Sequence, residues 1–160
     1  MKIGVMSDSH DHLSNLQNAI KMMIKKGVDA AIHCGDFCAP FMMTTLENLE
    51  VQVYAVFGNV DGDKFRMMEK KPKNLNIYGE LCDIELGGRK IAVVHYPEFA
   101  DALARSSKYD AVFYGHTHIR RVDMVGSTLL ANPGELMDLK GKPAFAIYNT
   151  DSNDFNIFEL

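Results

Sequence analysis

Seven side chains able to bind a metal ion follow directly on short apolar runs of this chain. They are Asp8 and His10, Asp36, Asn59, His95, and the pair His116 and His118. The runs cover 3–6, 30–34, 51–57, 91–94 and 111–114, and each reads as a strand. In an open α/β sheet, ligands bind at the carboxyl ends of strands. Parallel neighbouring strands would therefore bring all seven groups to one cleft. Four ligands satisfy a structural zinc, whereas seven suit two ions that share a carboxylate.

The residue types fit that chemistry one by one. Asp8 and His10 lie two apart in a segment leaving a strand, where a loop can turn both toward one ion. Asp36 has two carboxylate oxygens and can bridge two cations. Asn59 offers a neutral amide oxygen, and His95, His116 and His118 offer imidazole nitrogen. A mixed oxygen and nitrogen shell suits Mn, Fe, Co, Ni or Zn better than calcium. Two such ions about 3.5–4 Å apart can hold a bridging hydroxide and grip a phosphate from both sides. Taken singly, each residue has a plainer role: Asp36 as a turn residue, Asn59 after Gly58 as a turn signal, His95 as a core histidine. Seven such residues on five strand ends would need several independent coincidences.

The elements that must position these residues are legible in the periodicity. A strand at 3–6 precedes a helix over 13–26, with apolar residues at Leu16, Ile20, Met23 and Ile24. Ser14 or Asp11 is the expected cap, and Gly27 ends the helix. A strand at 30–34, a helix opened by Pro40 and a strand at 51–57 complete a βαβαβ order, which calls for a parallel sheet with right-handed crossovers. After a polar helix or loop (61–76), Gly87-Gly88 marks a hairpin between 81–86 and 90–95. A helix over 97–106 should turn Phe99 and Leu103 inward. Segments 121–125, 128–131, 144–149 and 155–159 read as short antiparallel strands. The expected fold is α/β (α+β): two packed mixed β-sheets flanked by helices, forming one domain over 1–160.

Composition narrows the partners. The 160 residues carry a net charge of -4 with 47% hydrophobic content, so no general affinity for nucleic acid is expected. No apolar run reaches the ~20 residues needed to span a bilayer. The first residues enter a strand directly, with no signal peptide expected. Cys34, Cys38 and Cys82 form no CxxC pair, which points to a reduced cytoplasmic protein. Ten methionines are expected to fill core space.

The motifs together resemble the calcineurin-like metallophosphoesterases, in particular their small single-domain phosphodiesterase branch. The resemblance rests on Ser-Asp-Ser-His at 7–10, His-Cys-Gly-Asp at 33–36, Gly-Asn-Val-Asp at 58–61, His95, Gly-His-Thr-His at 115–118 and Asn-Pro-Gly at 132–134. It implies that Asp8, His10, Asp36 and His118 hold one divalent ion and that Asp36, Asn59, His95 and His116 hold the other, with manganese first among the candidates. Asp36, Asn59, Asp61 and His95 are then the catalytic candidates. Asp61 would act from behind, orienting a neighbouring histidine or the phosphate region. Two departures stand out. Many relatives carry Gly-Asn-His, whose histidine assists the leaving group, and Val60 occupies that slot here. Relatives also often carry His-Gly-His, where this chain has His95-Tyr96-Pro97.

His12, at the expected helix start, and Arg120, just past the last motif, are candidate phosphate contacts. His33, inside an apolar strand, reads as core or as support for the ligands. The implied reaction is hydrolysis of a small phosphodiester or nucleotide by attack of a metal-bridging hydroxide on phosphorus. A phosphomonoesterase with the same site is the second reading. A non-catalytic scaffold, like the metallophosphoesterase-like subunit of the retromer complex, is the third, though loss of ligands would favour it and every ligand position is filled. A DNA-repair nuclease ranks low, since no basic stripe is present. The sequence leaves a homo-oligomer open.

Overall fold

The computed structural model describes residues 1–160, arranged as two β-sheets packed face to face with helices on the outer sides. In chain order the strands are β1 Lys2–Met6, β2 Ala30–His33, β3 Gln52–Ala55, β4 Leu75–Ile77, β5 Leu81–Leu86, β6 Arg89–Val94, β7 Ala111–Phe113, β8 Arg121–Val125, β9 Thr128–Asn132, β10 Ala144–Asn149 and β11 Asp154–Glu159. The helices are α1 Leu13–Lys26, α2 Pro40–Thr44 with a 3₁₀ turn over Thr45–Leu49, α3 Lys64–Lys70 and α4 Pro97–Arg105.

The first sheet runs β11-β10-β1-β2-β3-β4, and the second runs β5-β6-β7-β9-β8. Strands β1 to β3 pair in parallel, as the βαβαβ order requires, and β4, at the end of a stretch expected to be helix or loop, adds a fourth parallel strand. Strand β10 lies antiparallel beside β1 and carries β11 at the edge. In the second sheet β9 forms an antiparallel hairpin with β8 but pairs in parallel with β7, so the late strands are not all antiparallel as their lengths suggested. Strands β6, β7 and β9 thus repeat the parallel geometry of β1, β2 and β3.

Alternation along the strands divides the core. Ile3, Val5, Ile32, Val93, Phe113 and Tyr148 point between the sheets and form one buried cluster. Met6, Ala31 and Val53 face the other way and pack with Leu16, Ile20 and Met23 of α1. Ala92, Val112 and Leu130 pack under α4. Each fully buried large apolar side chain contributes about 1.5–3 kcal/mol.

Local details depart from expectation in two places. The N-cap of α1 is His12, with no side-chain cap, rather than Ser14 or Asp11. In α4 Ala100 and Ala104 are buried against the sheet, small enough for close approach, and Leu103 packs beside them as expected, whereas Phe99 is 58% exposed rather than inward. The Gly27 stop of α1 is left-handed, with φ 65. The Gly87-Gly88 turn has both residues at positive φ, as a two-residue hairpin turn of the I′ type needs.

Candidate metal centre

The seven ligand candidates meet at the carboxyl ends of β1, β2, β3, β6 and β7. After β1, β2 and β7 the chain leaves so abruptly that Asp8, His10, Asp36, His116 and His118 all adopt positive φ, between 42 and 64. Non-glycine residues rarely sit there, and such strain clusters at functional sites. Glycines make the convergence possible. A Cβ on Gly58 would lie 2.7 Å from Asp36 Cγ, one on Gly115 would lie 2.7 Å from Asp8 Oδ2, and one on Gly35 would lie 2.8 Å from His95 Nδ1.

Two overlapping groups result. Asp8, His10 and His118 have ligand atoms mutually within 4.8 Å, as do Asp8, Asp36 and His95. Asp8 is common to both groups, and Asp36 also touches both: its Oδ2 lies 3.7 Å from His10 Nε2 and 3.3 Å from His95 Nε2. The Val60 amide donates to Asp36 Oδ1 at 3.0 Å, which leaves Oδ2 to face the two histidines. The His116 amide donates to both oxygens of Asp8 at 3.1 Å. Asn59 Oδ1 stands 3.0 Å from His95 Nε2 and 2.8 Å from His116 Nδ1.

The donor set fits a cation. His95 donates Nδ1–H to the Cys34 carbonyl at 2.8 Å, and its Nε2 faces two further acceptors, Asp36 Oδ2 and Asn59 Oδ1. Burial opposes charging of the ring, but the hydrogen bond and charge of Asp36 outweigh it and raise its pKa. His10 Nε2 is buried without a hydrogen-bond partner, and its Nδ1 meets Cys38 Sγ at 3.4 Å. His118 turns Nε2 to 3.5 Å from Asp8 Oδ1 while its Nδ1 meets Glu135. Buried carboxylate and imidazole converging on one cleft match the donor set of a divalent transition ion.

Electrostatics agree. Burial raises the Asp8 carboxyl above its usual range. Burial also opposes ionisation of Asp36, but hydrogen bonding and charge from His95 outweigh it and hold Asp36 below the usual range. Burial pushes His33 down to about 3. The Gly35 amide donates to its Nδ1 at 3.2 Å, so its Nε2–H donates to Ser9 Oγ at 3.0 Å, and the ring stacks on Phe37 at 3.8 Å. His33 is therefore a neutral strut between the Asp8 and Asp36 loops. The Cys38 thiol, pushed up to about 12 by burial, is not a nucleophile.

Asp61 lies behind the cluster, but it orients backbone rather than a histidine. Its carboxylate accepts from the amides of Asp36, Phe37, Cys38 and Gly58, at 2.7 to 3.1 Å. Arg120 is engaged elsewhere, donating to Glu159 at 2.7 Å and to the Lys142 carbonyl at 2.8 Å. His12 shares a hydrogen bond with Ser14 Oγ at 3.3 Å. Motif spacing gave no notice of Glu135, which contacts His118, or of the contact between Cys38 and His10. The one available signal was the acidic residue directly after Asn132-Pro133-Gly134.

A four-layer fold with carboxylates, an amide and imidazoles gathered at parallel strand ends defines a metallophosphoesterase. The sequence pattern of the calcineurin-like phosphoesterase superfamily domain matches residues 1–153, and the chain belongs to that family. A phosphodiesterase of Methanocaldococcus jannaschii is 36% identical over 160 residues, covering 97% of this chain and 96% of its own. The solved structure of an archaeal phosphodiesterase superposes with a TM-score of 0.93 at 34% identity, over 100% of both chains. The Escherichia coli phosphoesterase Yfce shares the fold, with a TM-score of 0.73 at 18% identity over 99% of each chain. So does zinc-bound Vps29 of Entamoeba histolytica, with a TM-score of 0.68 at 21% identity over 99% of this chain and 91% of that one.

Proposed function

We propose that the protein is a binuclear metal-dependent phosphodiesterase acting on small phosphodiesters or nucleotides. The observation that carries this reading is Asp36 Oδ2, which stands between His10 and His95 with its partner oxygen held by the Val60 amide. The archaeal phosphodiesterases of similar sequence support it.

Asp8, His10, Asp36 and His118 would hold one ion, and Asp36, Asn59, His95 and His116 the other. When bound, two divalent ions supply Lewis acidity to the phosphoryl oxygens and generate a nucleophile near neutral pH. The protein's own part is positioning. Asp61 fixes the loops that carry Asp36 and Asn59, and the Cys34 carbonyl fixes the His95 tautomer. Asn59 adds an oxygen ligand without adding charge. Manganese is the proposed ion, and the free thiols of Cys34, Cys38 and Cys82 suit a cytoplasmic setting.

The test is metal-stripped protein assayed on a chromogenic phosphodiester and on the matching monoester, each divalent ion being added back in turn. Mn²⁺ should restore diesterase turnover and Ca²⁺ should not, because calcium rarely accepts imidazole. Equal activation by calcium would refute the ligand assignment. Faster turnover of the monoester would replace the diesterase reading with the phosphomonoesterase one. No turnover of either ester with any ion would leave a binding scaffold.

A further inference from the structure

We propose that Glu135 is a positioning residue that sets the tautomer of His118 and so decides whether its Nε2 can bind a metal ion. The inference rests on the metal reading above but concerns a residue outside the ligand set.

Glu135 is 1% exposed, and its two oxygens have separate tasks. Oε2 meets His118 Nδ1 in a short contact. Oε1 accepts from the backbone amides of Leu139, Lys140 and Gly141, at 2.9 Å for the first and last. The residue stands on a fixed base. The next amide, Leu136 N–H, reaches the carbonyls of Ser7 and Asp8 at 3.2 Å, and Asn15 Nδ2 donates to the Leu136 carbonyl at 2.8 Å. The segment bearing Glu135 is thus tied to the loop bearing Asp8, and through Glu135 to His118.

A carboxylate can only accept. Facing Nδ1, it requires the proton there, and Nε2 then turns a lone pair toward Asp8 Oδ1, 3.5 Å away. Hydrogen-bonded partners of this kind orient metal-binding histidines, and losing them typically costs about 10–100-fold in metal affinity.

Glu135→Gln separates this role from a structural one. Three amide donors demand an acceptor, so the Gln carbonyl oxygen stays on Leu139, Lys140 and Gly141. Its NH₂ group must then face His118 Nδ1, which becomes the acceptor, and the proton moves to Nε2, the nitrogen the metal needs. The variant is close to isosteric and keeps the loop, but it inverts the tautomer.

The experiment has two arms. In metal-free wild-type and Glu135→Gln protein at alkaline pH, ¹⁵N–¹H correlation spectra of the imidazoles read the His118 tautomer. Mn²⁺ titration calorimetry reads affinity and stoichiometry. The expected result is Nδ1–H in the wild type and Nε2–H in the variant. One of the two Mn²⁺ sites should weaken about 10–100-fold, while amide exchange protection at Leu139 to Gly141 is retained. Glu135→Ala should lose that protection as well. An identical tautomer in both proteins, or an inverted tautomer with unchanged Mn²⁺ affinity, would overturn the proposal. A wild-type protein that binds no Mn²⁺ would overturn the metal reading instead, and the spectra would still decide whether Glu135 sets the His118 proton.

Discussion

The backbone amide of Asp36 donates to Asp61 Oδ2 at 3.1 Å, so the candidate bridging carboxylate is held in place through its main chain by a second carboxylate. The same Asp61 gathers three further amides, from Phe37, Cys38 and Gly58. Asp61→Asn would turn an NH₂ group toward a nest of N–H donors. Each orphaned buried donor costs about 1–3 kcal/mol. The variant should unfold at clearly lower urea and bind metal poorly, because the Asp36 and Asn59 loops lose their common anchor. Wild-type stability together with full metal content would show that the nest is dispensable.

Asp36→Ala should harm metal binding more than loss of any single histidine. Its Oδ2 faces both His10 and His95, so its removal takes one carboxylate away from both histidines at once. Elemental analysis should give well under two ions per chain, and turnover should vanish. His10→Ala and His95→Ala should each leave one group more nearly complete. A D36A protein that kept two ions would refute the bridging role.

Gly115→Ala tests the close approach that the fold demands at the end of β7. The added methyl would press on Ser7 and lie 2.7 Å from Asp8 Oδ2. Overpacking of this kind costs about 1–3 kcal/mol, and here the strain falls on a candidate ligand. Thermal melting and activity should both drop. Gly62→Ala, where a Cβ meets nothing within 4 Å, is the control and should be close to neutral.

The convergence of the candidate ligands could be read from the sequence because each follows an apolar run, and parallel strands pool their carboxyl ends. The helix over 13–26 and the Gly-Gly hairpin were equally plain, through their period and turn chemistry. Other features left no local trace. Whether β9 pairs in parallel with β7 depends on a long-range partner, which a short strand does not encode. Phe99 fits a helical stripe, but Ala100, Leu103 and Ala104 are the α4 residues packed against the sheet. Asp61 bonds to main-chain amides and Glu135 caps a loop, and neither role follows a side-chain spacing rule. Arg120 sat beside the last motif in sequence, yet Glu159 of β11 lies across from it and takes its charge.

His33 should make stability fall at acid pH. Its folded value of about 3 lies below its ordinary value of 6.5, so between these limits the unfolded chain binds the additional proton. The contribution is present in full above pH 6.5 and is lost as pH falls toward 3, at about 1.4 kcal/mol per pH unit. Urea unfolding across that range should show a steeper decline for wild type than for His33→Gln, the difference isolating this one group from the carboxylates. Parallel curves would mean that His33 charges in the folded protein.

Val60 is expected to set how the leaving group departs. Its amide is committed to Asp36 Oδ1, and its side chain is 37% exposed, beside Asn59. Valine can give no proton, whereas the histidine found in this slot in many relatives can. General acid assistance is typically worth about 10²–10⁴-fold, and its loss matters most when the departing alkoxide is basic. The wild-type enzyme should therefore prefer activated esters. Val60→His keeps the backbone amide and so leaves Asp36 in place. It should speed poor leaving groups more than good ones. The measurement is a series of aryl and alkyl phosphodiesters on both proteins, plotted as log rate against leaving-group pKa. A steep wild-type slope that flattens in the variant is the expected outcome. A shallow slope unchanged by the substitution would mean that another group already supplies the proton, and His12, at the start of α1, would be the first to replace.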